Sequence, residues 1–473
     1  MTRCREATDV LGTGVLAQGQ PVQIPGIDYG AIAPVLIVLG AACLAVLVEA
    51  FVPRSGRWAT QVTLTLLALV LAGASLGAHL YSGSQDGGVR DVITLAGTVA
   101  VDRPALFMWG TLLALGLAAA LLIADRSIEP GGAFTAHAAV RPGTAADRTI
   151  NRGPHAYPGS PTVATQTVMQ TEVFPLFLFS LSGMMVFLAA NDLLTMFIAL
   201  EVLSLPLYVM AGLARRRRQL SQEAAVKYFL LGAFASAFFL YGLAMLYGYA
   251  RSVKLSDIAE ASGGTDRSDA LLFAGLALLV IGLLFKASVG PFHAWTPDVY
   301  QGAPTPATAF MAACTKVAAF GAFLRVLTVG FGATEWEWRG VLAGVAVVSM
   351  VIGAVLGLTQ TDIKRMIAYS SVAHAGFLLL GAIAVTAQGV SSTLFYLLAY
   401  GFTTLAAFGI VTLVRDAEGE ATHLSQWAGL AQRSPLTAGV FAFLLFALAG
   451  IPLTSGFTAK FAVFSAAIAD GMA

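Results

Sequence analysis

The sequence predicts an all-α integral membrane protein, a polytopic bundle of about twelve membrane-spanning helices. Of its 473 residues, 57% are hydrophobic and only 11% are charged, so polar side chains are too few to cover a water-soluble domain. Segments of about 20 apolar residues recur along the chain, and each can cross roughly 30 Å of hydrocarbon as a helix. Because these segments lack the alternation of barrel strands, spanning helices are expected.

The hydrophobic segments define about twelve candidate spans. They lie near residues 28–52, 58–80, 104–124, 173–190, 192–213, 224–250, 270–297, 304–329, 340–358, 366–388, 390–414 and 435–470. The last segment is too long for one straight crossing, so we expect it to bend.

The connections between the spans predict the orientation of the chain. Lys and Arg are more frequent in the odd-numbered connections, which indicates an N-terminus on the outer face. Residues 1–27 then form an outer-face segment, interpreted as an ordered cap, with a cleaved signal peptide as the alternative. The long hydrophilic connection 125–172 is rich in Gly, Pro, Thr and Arg and is expected to be a flexible cytoplasmic loop. His137 and His155 lie in it, and solvated side chains explain them better than metal binding.

Two classes of function are excluded by residue usage. The cysteines Cys4, Cys43 and Cys314 are widely scattered and show no metal-ligand spacing, so we expect no metal site and no iron-sulfur cluster on this chain. The net charge of +1 argues against nucleic acid as a partner. The one short basic run, at residues 215–218, is better interpreted as a topology signal.

Four ionisable side chains lie deep inside predicted spans: Glu201, Lys286, Lys316 and Lys460. Each costs about 2.5 to 3.5 kcal/mol to insert, so together they cost on the order of 10 kcal/mol that leucines would avoid. Buried ion pairs that hold helices together are the structural alternative. Three lysines to one glutamate leave positive charge that pairing cannot satisfy, which favours a function for these residues.

Three further charged residues, Glu49, Lys227 and Arg325, lie within a turn or two of span ends. A long side chain there can extend to the headgroups, and we expect this of all three.

Lysine suits proton transfer in such a place. Desolvation weakens the hold of an ammonium group on its proton, and a nearby carboxylate strengthens it. At an effective dielectric constant of about 20, a Glu–Lys pair gains roughly 4 kcal/mol at 4 Å but only about 1.4 kcal/mol at 12 Å. A movement of a few ångströms could therefore load or unload one proton.

Two predicted helix breaks lie close to these charges. Pro291, after Gly290, removes the hydrogen bond to the carbonyl of Ala287, one residue beyond Lys286. Gly450 and Pro452 repeat the arrangement ahead of Lys460. Simple proline kinks are the alternative, but discontinuous helices beside charges are typical of membrane transport paths. His374, flanked by hydroxyl residues, is either a satisfied core histidine or a relay between Lys316 and Lys460.

Three motifs carry a resemblance to a known family. Residues 286–310 read KASVGPFHAWTPDVYQGAPTPATAF, residues 364–371 read KRMIAYSS ahead of His374, and residues 456–461 read GFTAKF. The chain resembles the subunit N family of proton-translocating NADH-quinone oxidoreductase, the bacterial complex I, whose members are antiporter-like. The resemblance extends from about residue 28 to the end of the chain, apart from the 125–172 loop.

The resemblance implies a fold and a path for protons. Residues 28–124 would form helices 1–3, residues 173–329 a first inverted five-helix repeat (helices 4–8) and residues 338–473 a second (helices 9–12), each with one broken helix. Such subunits typically have about fourteen helices, so the second repeat is expected to be incomplete. Glu201 would pair with Lys227 and Lys286, and the path would continue through Lys316, His374 and Lys460.

The resemblance also implies a division of labour. NADH oxidation and quinone reduction would occur on other subunits, which hold FMN and iron-sulfur clusters, while this chain binds no cofactor. It contains no G-x-G-x-x-G turn in a βαβ setting. Expected neighbours are subunit M, the small subunits K and J, and the lipid of the bacterial inner membrane. The alternatives are a subunit of a multisubunit cation/proton antiporter and a purely structural membrane scaffold.

Overall fold

The computed structural model describes residues 26–85, 91–128, 132–135, 141, 144, 170–263, 269–416 and 419–472. The helices that build the membrane domain are α1 Tyr29–Phe51, α2 Arg54–Gln85, α3 Arg103–Ala124, α4 Val173–Ala189, α5 Leu193–Ala211, α6 Arg218–Ala250, α7 Asp269–Lys286, α8 Trp295–Gly302, α9 Thr305–Arg325, α10 Glu335–Leu358, α11 Ile363–Ile383, α12 Ala387–Leu413, α13 Pro435–Ala449 and α14 Ser455–Ala469. Short helical segments occupy Leu95–Gly97, Leu255–Ser262, Val326–Gly330, Gly332–Thr334, Leu424–Trp427 and Leu430–Arg433.

These helices confirm the predicted all-α membrane fold. Among the described residues, ten helices are long and apolar enough to cross a membrane, and α4, α13 and α14 are shorter apolar helices. With α7–α8 and α13–α14 each counted as one broken crossing, the helices match the twelve predicted spans. The strands of the described chain form two small antiparallel hairpins, β1 (Val92–Thr94) with β2 (Val99–Val101) and β3 (Arg415–Asp416) with β4 (Gly419–Glu420).

Aspartate side chains fix the start of four of these helices. Asp28, Asp102, Asp192 and Asp362 precede α1, α3, α5 and α11, and each accepts a hydrogen bond from a backbone N–H of the first turn. Such a cap satisfies a donor that the helix itself leaves unpaired. The local sequence therefore contributes directly to the position of these helix ends.

Both predicted breaks are present, but the first begins earlier than expected. The seventh span was predicted to run from 270 to 297, whereas α7 ends at Lys286 and α8 begins at Trp295. Pro291 has no backbone N–H and cannot continue the helical hydrogen bonds. The N–H of Gly290 does not bond within a helix but donates to Ser349 Oγ of α10 at 2.9 Å. The twelfth span breaks between Ala449 and Ser455, where Gly450 adopts φ +81°.

The bundle is organised around α9, in which every residue is buried. This helix packs against α3, α4, α11 and α12. Its central place explains why a lysine on α9 is removed from both lipid and water. Each half of the chain contains one broken crossing, and the proposed inverted repeats at 173–329 and 338–473 stay a prediction.

Arg325, expected at the headgroups, is instead buried and paired, so that expectation was wrong for it, whereas Glu49 is paired but only partly buried. Arg325 is 7% exposed and donates to the Leu188 carbonyl at 3.0 Å and to the Asp102 carboxylate at 2.9 Å. Glu49 accepts from Gln61 Nε2 at 2.8 Å and lies 3.2 Å from Arg57. The Asp102 carboxylate thus satisfies the charge of Arg325 inside the protein, whereas Glu49 pairs with Arg57 near the end of α1 and keeps 14% of its side chain exposed.

Part of the 125–172 connection packs on the membrane domain. Thr135 donates its backbone N–H to the Leu213 carbonyl at 2.8 Å, and Arg215 donates to Ala133 at 2.9 Å. The interpretations of residues 1–25, of His137 and His155, and of the flexibility of the rest of this loop lie outside the described residues.

The contact between α10 and α11 predicts a sharp difference between two glycines of α10. A Cβ at Gly353 would lie 2.4 Å from the backbone nitrogen of Ala373, whereas a Cβ at Gly344 would meet nothing within 4 Å. We expect Gly353→Ala to destabilise the protein by about 1–3 kcal/mol through overpacking. Gly344→Ala should be neutral or stabilising by up to about 1 kcal/mol, because alanine favours helix. Thermal unfolding in detergent measures both, and equal effects would contradict this packing.

Candidate functional site

Lys286 forms the first part of the site at the C-terminal end of α7. Its side chain is buried, and its ammonium group donates to Ser204 Oγ at 2.8 Å and to the Tyr228 hydroxyl at 3.5 Å. The rings of Tyr208 and Tyr228 lie 6.0 and 5.6 Å from Lys286 Nζ. Neutral oxygens and aromatic faces thus surround this cation.

Glu201 lies on α5, one helical turn before Ser204, and so approaches the same place as Lys286. Within the described chain, its buried Oε1 atom has no hydrogen-bond partner. Tyr208 lies within interaction range of both Ser204 and Glu201. The structure therefore places Glu201 and Lys286 near the same two residues, Ser204 and Tyr208, without a contact of 4 Å or less between their charged groups in the described residues.

Space for Tyr208 depends on a glycine of α6. A Cβ at Gly232 would lie 2.1 Å from the Tyr208 hydroxyl oxygen. Since real Cβ atoms never come so close, any larger residue at position 232 would displace Tyr208 from this pocket.

Lys227 does not join Glu201, contrary to what the resemblance implies. Its ammonium group lies 2.7 Å from Glu223 and 2.8 Å from Asp298, and its side chain is 43% exposed. Asp298 also accepts from Arg365 at 2.6 Å. The reason is the helix break, because α8 carries Asp298 back to α6 and supplies a closer carboxylate than Glu201.

Lys316 binds the backbone that the first break sets free. Its side chain is 1% exposed, and its ammonium group donates to the Ala287 carbonyl at 2.9 Å. This is the carbonyl that Pro291 leaves without a helical partner. A cation here also faces the negative end of the α7 dipole.

At the second break, Lys460 likewise donates to backbone carbonyls at the end of a helix. It donates to the carbonyls of Leu448 and Ala449, both at 2.9 Å, which end α13. Its ammonium group lies 4.9 Å from the centroid of the Phe377 ring. A lysine therefore satisfies free carbonyls at each of the two breaks.

His374 lies between these two lysines. It is buried on α11, with Nδ1 2.7 Å from the Tyr396 hydroxyl and its ring 5.1 Å from that of Tyr400. It is within electrostatic range of both Lys316 and Lys460. The predicted residues thus follow one another in the order Glu201, Lys286, Lys316, His374 and Lys460, with the middle three buried, the two end residues partly buried, and Lys227 outside this row.

Sequence reasoning missed the tyrosines and one buried lysine. A detectable signal was present for Tyr208, because Glu201, Ser204 and Tyr208 repeat at the spacing of one helix face. Lys364 was treated only as part of a motif, yet it is buried and donates to the Ala303 carbonyl at 2.9 Å and to Thr305 Oγ1 at 3.0 Å. It stabilises the α8–α9 junction.

The chemistry available to this row is proton exchange. In the part of the chain described here, no three His, Cys, Asp or Glu side chains gather as a metal site. The row instead contains groups that gain and lose protons, separated by hydroxyls and carbonyls that hydrogen-bond to either form.

Comparison with known proteins supplies independent evidence about the family of this chain. The family model described as NADH:quinone oxidoreductase/Mrp antiporter, TM, matches residues 190–473. The chain is 70% identical over 454 residues to NADH-quinone oxidoreductase subunit N of Saccharopolyspora erythraea, covering 96% of this chain and 85% of that protein. It is 33% identical, with a TM-score of 0.69, to a chain of respiratory complex I from Thermus thermophilus with bound aureothin, covering 93% of this chain and 83% of that one. The fold is shared by a chain of the Mrp complex from Dietzia sp. DQ12-45-1b. That chain is 24% identical to this one, with a TM-score of 0.73, and the match covers 93% of this chain and 75% of that one.

The cluster at Asp298 yields a prediction about stability. Asp298→Asn removes the carboxylate that Lys227 and Arg365 share, and hydrogen bonds to charged groups contribute about 1.5–3 kcal/mol each. Glu223→Gln removes only the more exposed partner of Lys227, whose side chain is 57% exposed, so we expect a loss within about 1 kcal/mol. Thermal unfolding of the purified protein compares the two. An equal or larger loss for Glu223→Gln would show that Asp298 does not join α6, α8 and α11.

Proposed function

This chain belongs to the subunit N family of the NADH-quinone oxidoreductases, and we propose that it translocates protons across the membrane through this row of ionisable residues. It is a multi-pass membrane subunit of a respiratory complex and one part of a proton-translocating oxidoreductase. Redox energy released on other subunits drives the transfer.

One observation carries the assignment of residues. Lys286, Lys316 and Lys460 are held by neutral oxygen atoms at or near the two helix breaks. Within the described residues, none of the three has a carboxylate within 4 Å. A scaffold built from ion pairs would place carboxylates against them, so this geometry favours proton transfer over the structural alternative.

The steps follow from the order of the groups. A change near Glu201 alters its attraction for the Lys286 ammonium group, and Lys286 then gains or loses a proton. Ala287 links this lysine to the next, because Ala287 follows Lys286 in the chain and its carbonyl accepts from Lys316. Protons then pass between Lys316, His374 and Lys460.

We also infer the setting of the chain from the family. NADH oxidation, quinone reduction, FMN and iron-sulfur clusters are assigned to other subunits, and no cofactor to this chain. Subunit M and the small subunits K and J are the proposed neighbours in the bacterial inner membrane. The excess of Lys and Arg in the odd-numbered connections supports an N-terminus on the outer face. The similarity to the Mrp complex leaves sodium-dependent transport without redox coupling as a distinguishable alternative.

The first test measures pumping directly. Lys286→Ala removes the ammonium group next to Glu201, so we expect fewer protons moved per NADH oxidised in vesicles, with the complex still assembled. Lys254→Ala removes an exposed lysine outside the row and should leave pumping unchanged. Normal pumping by an assembled Lys286→Ala complex would remove this residue from the mechanism. Sodium-dependent transport that does not require NADH would favour the antiporter alternative.

The second test targets the position of Lys460. A Cβ at Gly450 would lie 2.9 Å from Lys460 Cδ and 3.2 Å from Nζ, at a residue with φ +81°. Gly450→Ala should cost about 1–3 kcal/mol of backbone strain and displace the ammonium group from the α13 carbonyls. Gly439→Ala, within the helix that Gly450 follows and with nothing within 4 Å of the added Cβ, is the matched control. We expect lower proton transfer only in Gly450→Ala, and unchanged pumping in this variant would argue against a need for this geometry.

A further inference from the structure

The connection between α12 and α13 contacts the α8–α9 junction through one carboxylate. Glu420, on β4, accepts from the hydroxyl of Thr305, whose Oγ1 lies 2.6 and 2.7 Å from the two carboxylate oxygens. Thr305 is the first residue of α9 and is 2% exposed. Lys364 of α11 completes the group, because it donates to Thr305 Oγ1 at 3.0 Å and lies 3.9 Å from Glu420. A buried cation, a hydroxyl and a carboxylate thus join α9, α11 and the β3–β4 hairpin.

The next residues of this connection are bound to the start of α11 through their backbone. The N–H of Ile363 donates to the Thr422 carbonyl at 2.8 Å, and the N–H of Leu424 donates to the Thr361 carbonyl at 2.8 Å. The Thr422 hydroxyl also accepts from Arg217, which precedes α6, at 2.6 Å. This part of the connection is therefore held in place by α11 on one side and by the start of α6 on the other.

The last part of the connection contacts the second broken crossing. Trp427 donates its Nε1–H to the Ala421 carbonyl at 2.9 Å, and its ring centroid lies 4.7 Å from that of Phe441 on α13. The helix α13 ends at Ala449, whose carbonyl accepts from Lys460. We call residues 420–427 the strap, because this segment contacts the α8–α9 junction at one end and α13 at the other.

Both ends of the strap lie on elements that adjoin a helix break. The helix α8 has only eight residues and is separated from α7 by the first break, so continuous helical bonds from α7 do not position the start of α9. The 2.9 Å contact between Lys316 of α9 and the Ala287 carbonyl depends on that position. In the same way, the position of α13 sets the carbonyls that hold Lys460. Packed side chains and hydrogen-bond networks carry energetic coupling between such separated sites.

We propose that the strap fixes the two helix breaks relative to each other, with Glu420 and Trp427 as positioning residues for proton transfer. The inference rests on the proposed function. Glu420 holds the start of α9 through Thr305, and Trp427 holds α13 through Phe441. Neither residue exchanges the transferred proton. Each acts by keeping a lysine of the row against the carbonyls at its break.

Substitutions at Thr305 separate this role from packing. Thr305→Val keeps the shape of the side chain but loses the hydroxyl that binds Glu420, whereas Thr305→Ser keeps the hydroxyl. In the intact complex in vesicles, we expect Thr305→Val and Glu420→Gln to lower the number of protons moved per NADH oxidised, part of the way toward the value of Lys286→Ala. Thr305→Ser should retain the wild-type number. A strap that only supports assembly would lower the amount of complex and leave protons per NADH unchanged in the assembled fraction, and this result would overturn the proposal.

A double substitution tests whether the two ends act as one unit. Trp427→Leu removes both the N–H bond to Ala421 and the ring contact with Phe441. Combined with Glu420→Gln, it should lower protons per NADH no further than the stronger single substitution, because residues of one network are not additive. Losses that add in the double variant would show two independent residues and overturn the strap. Trp427→Phe, which keeps a ring beside Phe441 but loses the N–H bond, replaces Trp427→Leu if that variant does not assemble.

The control is Thr359→Val, which removes an exposed hydroxyl that donates to the Leu356 carbonyl of its own helix, α10. It should pump normally. If the strap variants pump normally while Lys286→Ala does not, the strap is overturned and the proposed function stands. If Lys286→Ala also pumps normally in an assembled complex, the row is not the path and both proposals fail.

Discussion

A backbone carbonyl released from its helix inside lipid must find another donor, and the rest of this structure depends on how that requirement is met. Breaks in α7–α8 and α13–α14 release the carbonyls of Ala287, Leu448 and Ala449, and lysine ammonium groups satisfy all of them. The same bonds lower the cost of keeping the lysines in a low-dielectric interior. Each unfavourable feature, a broken helix or a buried cation, is thus compensated by the other.

The position of α9 places Lys316 between the first break and helices α11 and α12. Since every residue of α9 is buried, Lys316 can extend to the first break on one side while α11 and α12 bring His374 and Tyr400 to the other. At the C-terminal end of α9, Arg325 binds the Asp102 carboxylate and the Leu188 carbonyl near the end of α4. These bonds restrain the C-terminal end of α9 against its neighbours. They thereby help to keep Lys316 in position to donate to the Ala287 carbonyl.

The twelve crossings, both breaks and the deep lysines could be predicted because their causes are local. Hydrophobic length, a proline without an N–H and the cost of a charge in lipid can all be seen in a single segment. The failures at Arg325 and Lys227 have the opposite origin. Asp102, which pairs with Arg325, lies 223 residues away in the sequence, and Asp298, which joins Glu223 in pairing with Lys227, lies 71 residues away. Only the packed helices therefore decide these partners.

Because the buried lysines are held by neutral oxygen atoms and not by carboxylates, losing a proton has a different energetic cost. If a carboxylate held Lys316 or Lys460, loss of the proton would leave a buried, unpaired anion, and breaking such a pair typically costs about 3–5 kcal/mol. A carbonyl keeps the same dipole whether the lysine is charged or neutral, so loss of the proton weakens one hydrogen bond and strands no charge. A row built on carbonyls and hydroxyls can therefore change its protonation with smaller energy differences between steps. Glu201 is the one carboxyl group of the row, so the proposed mechanism places the action of an external change at the Lys286 end.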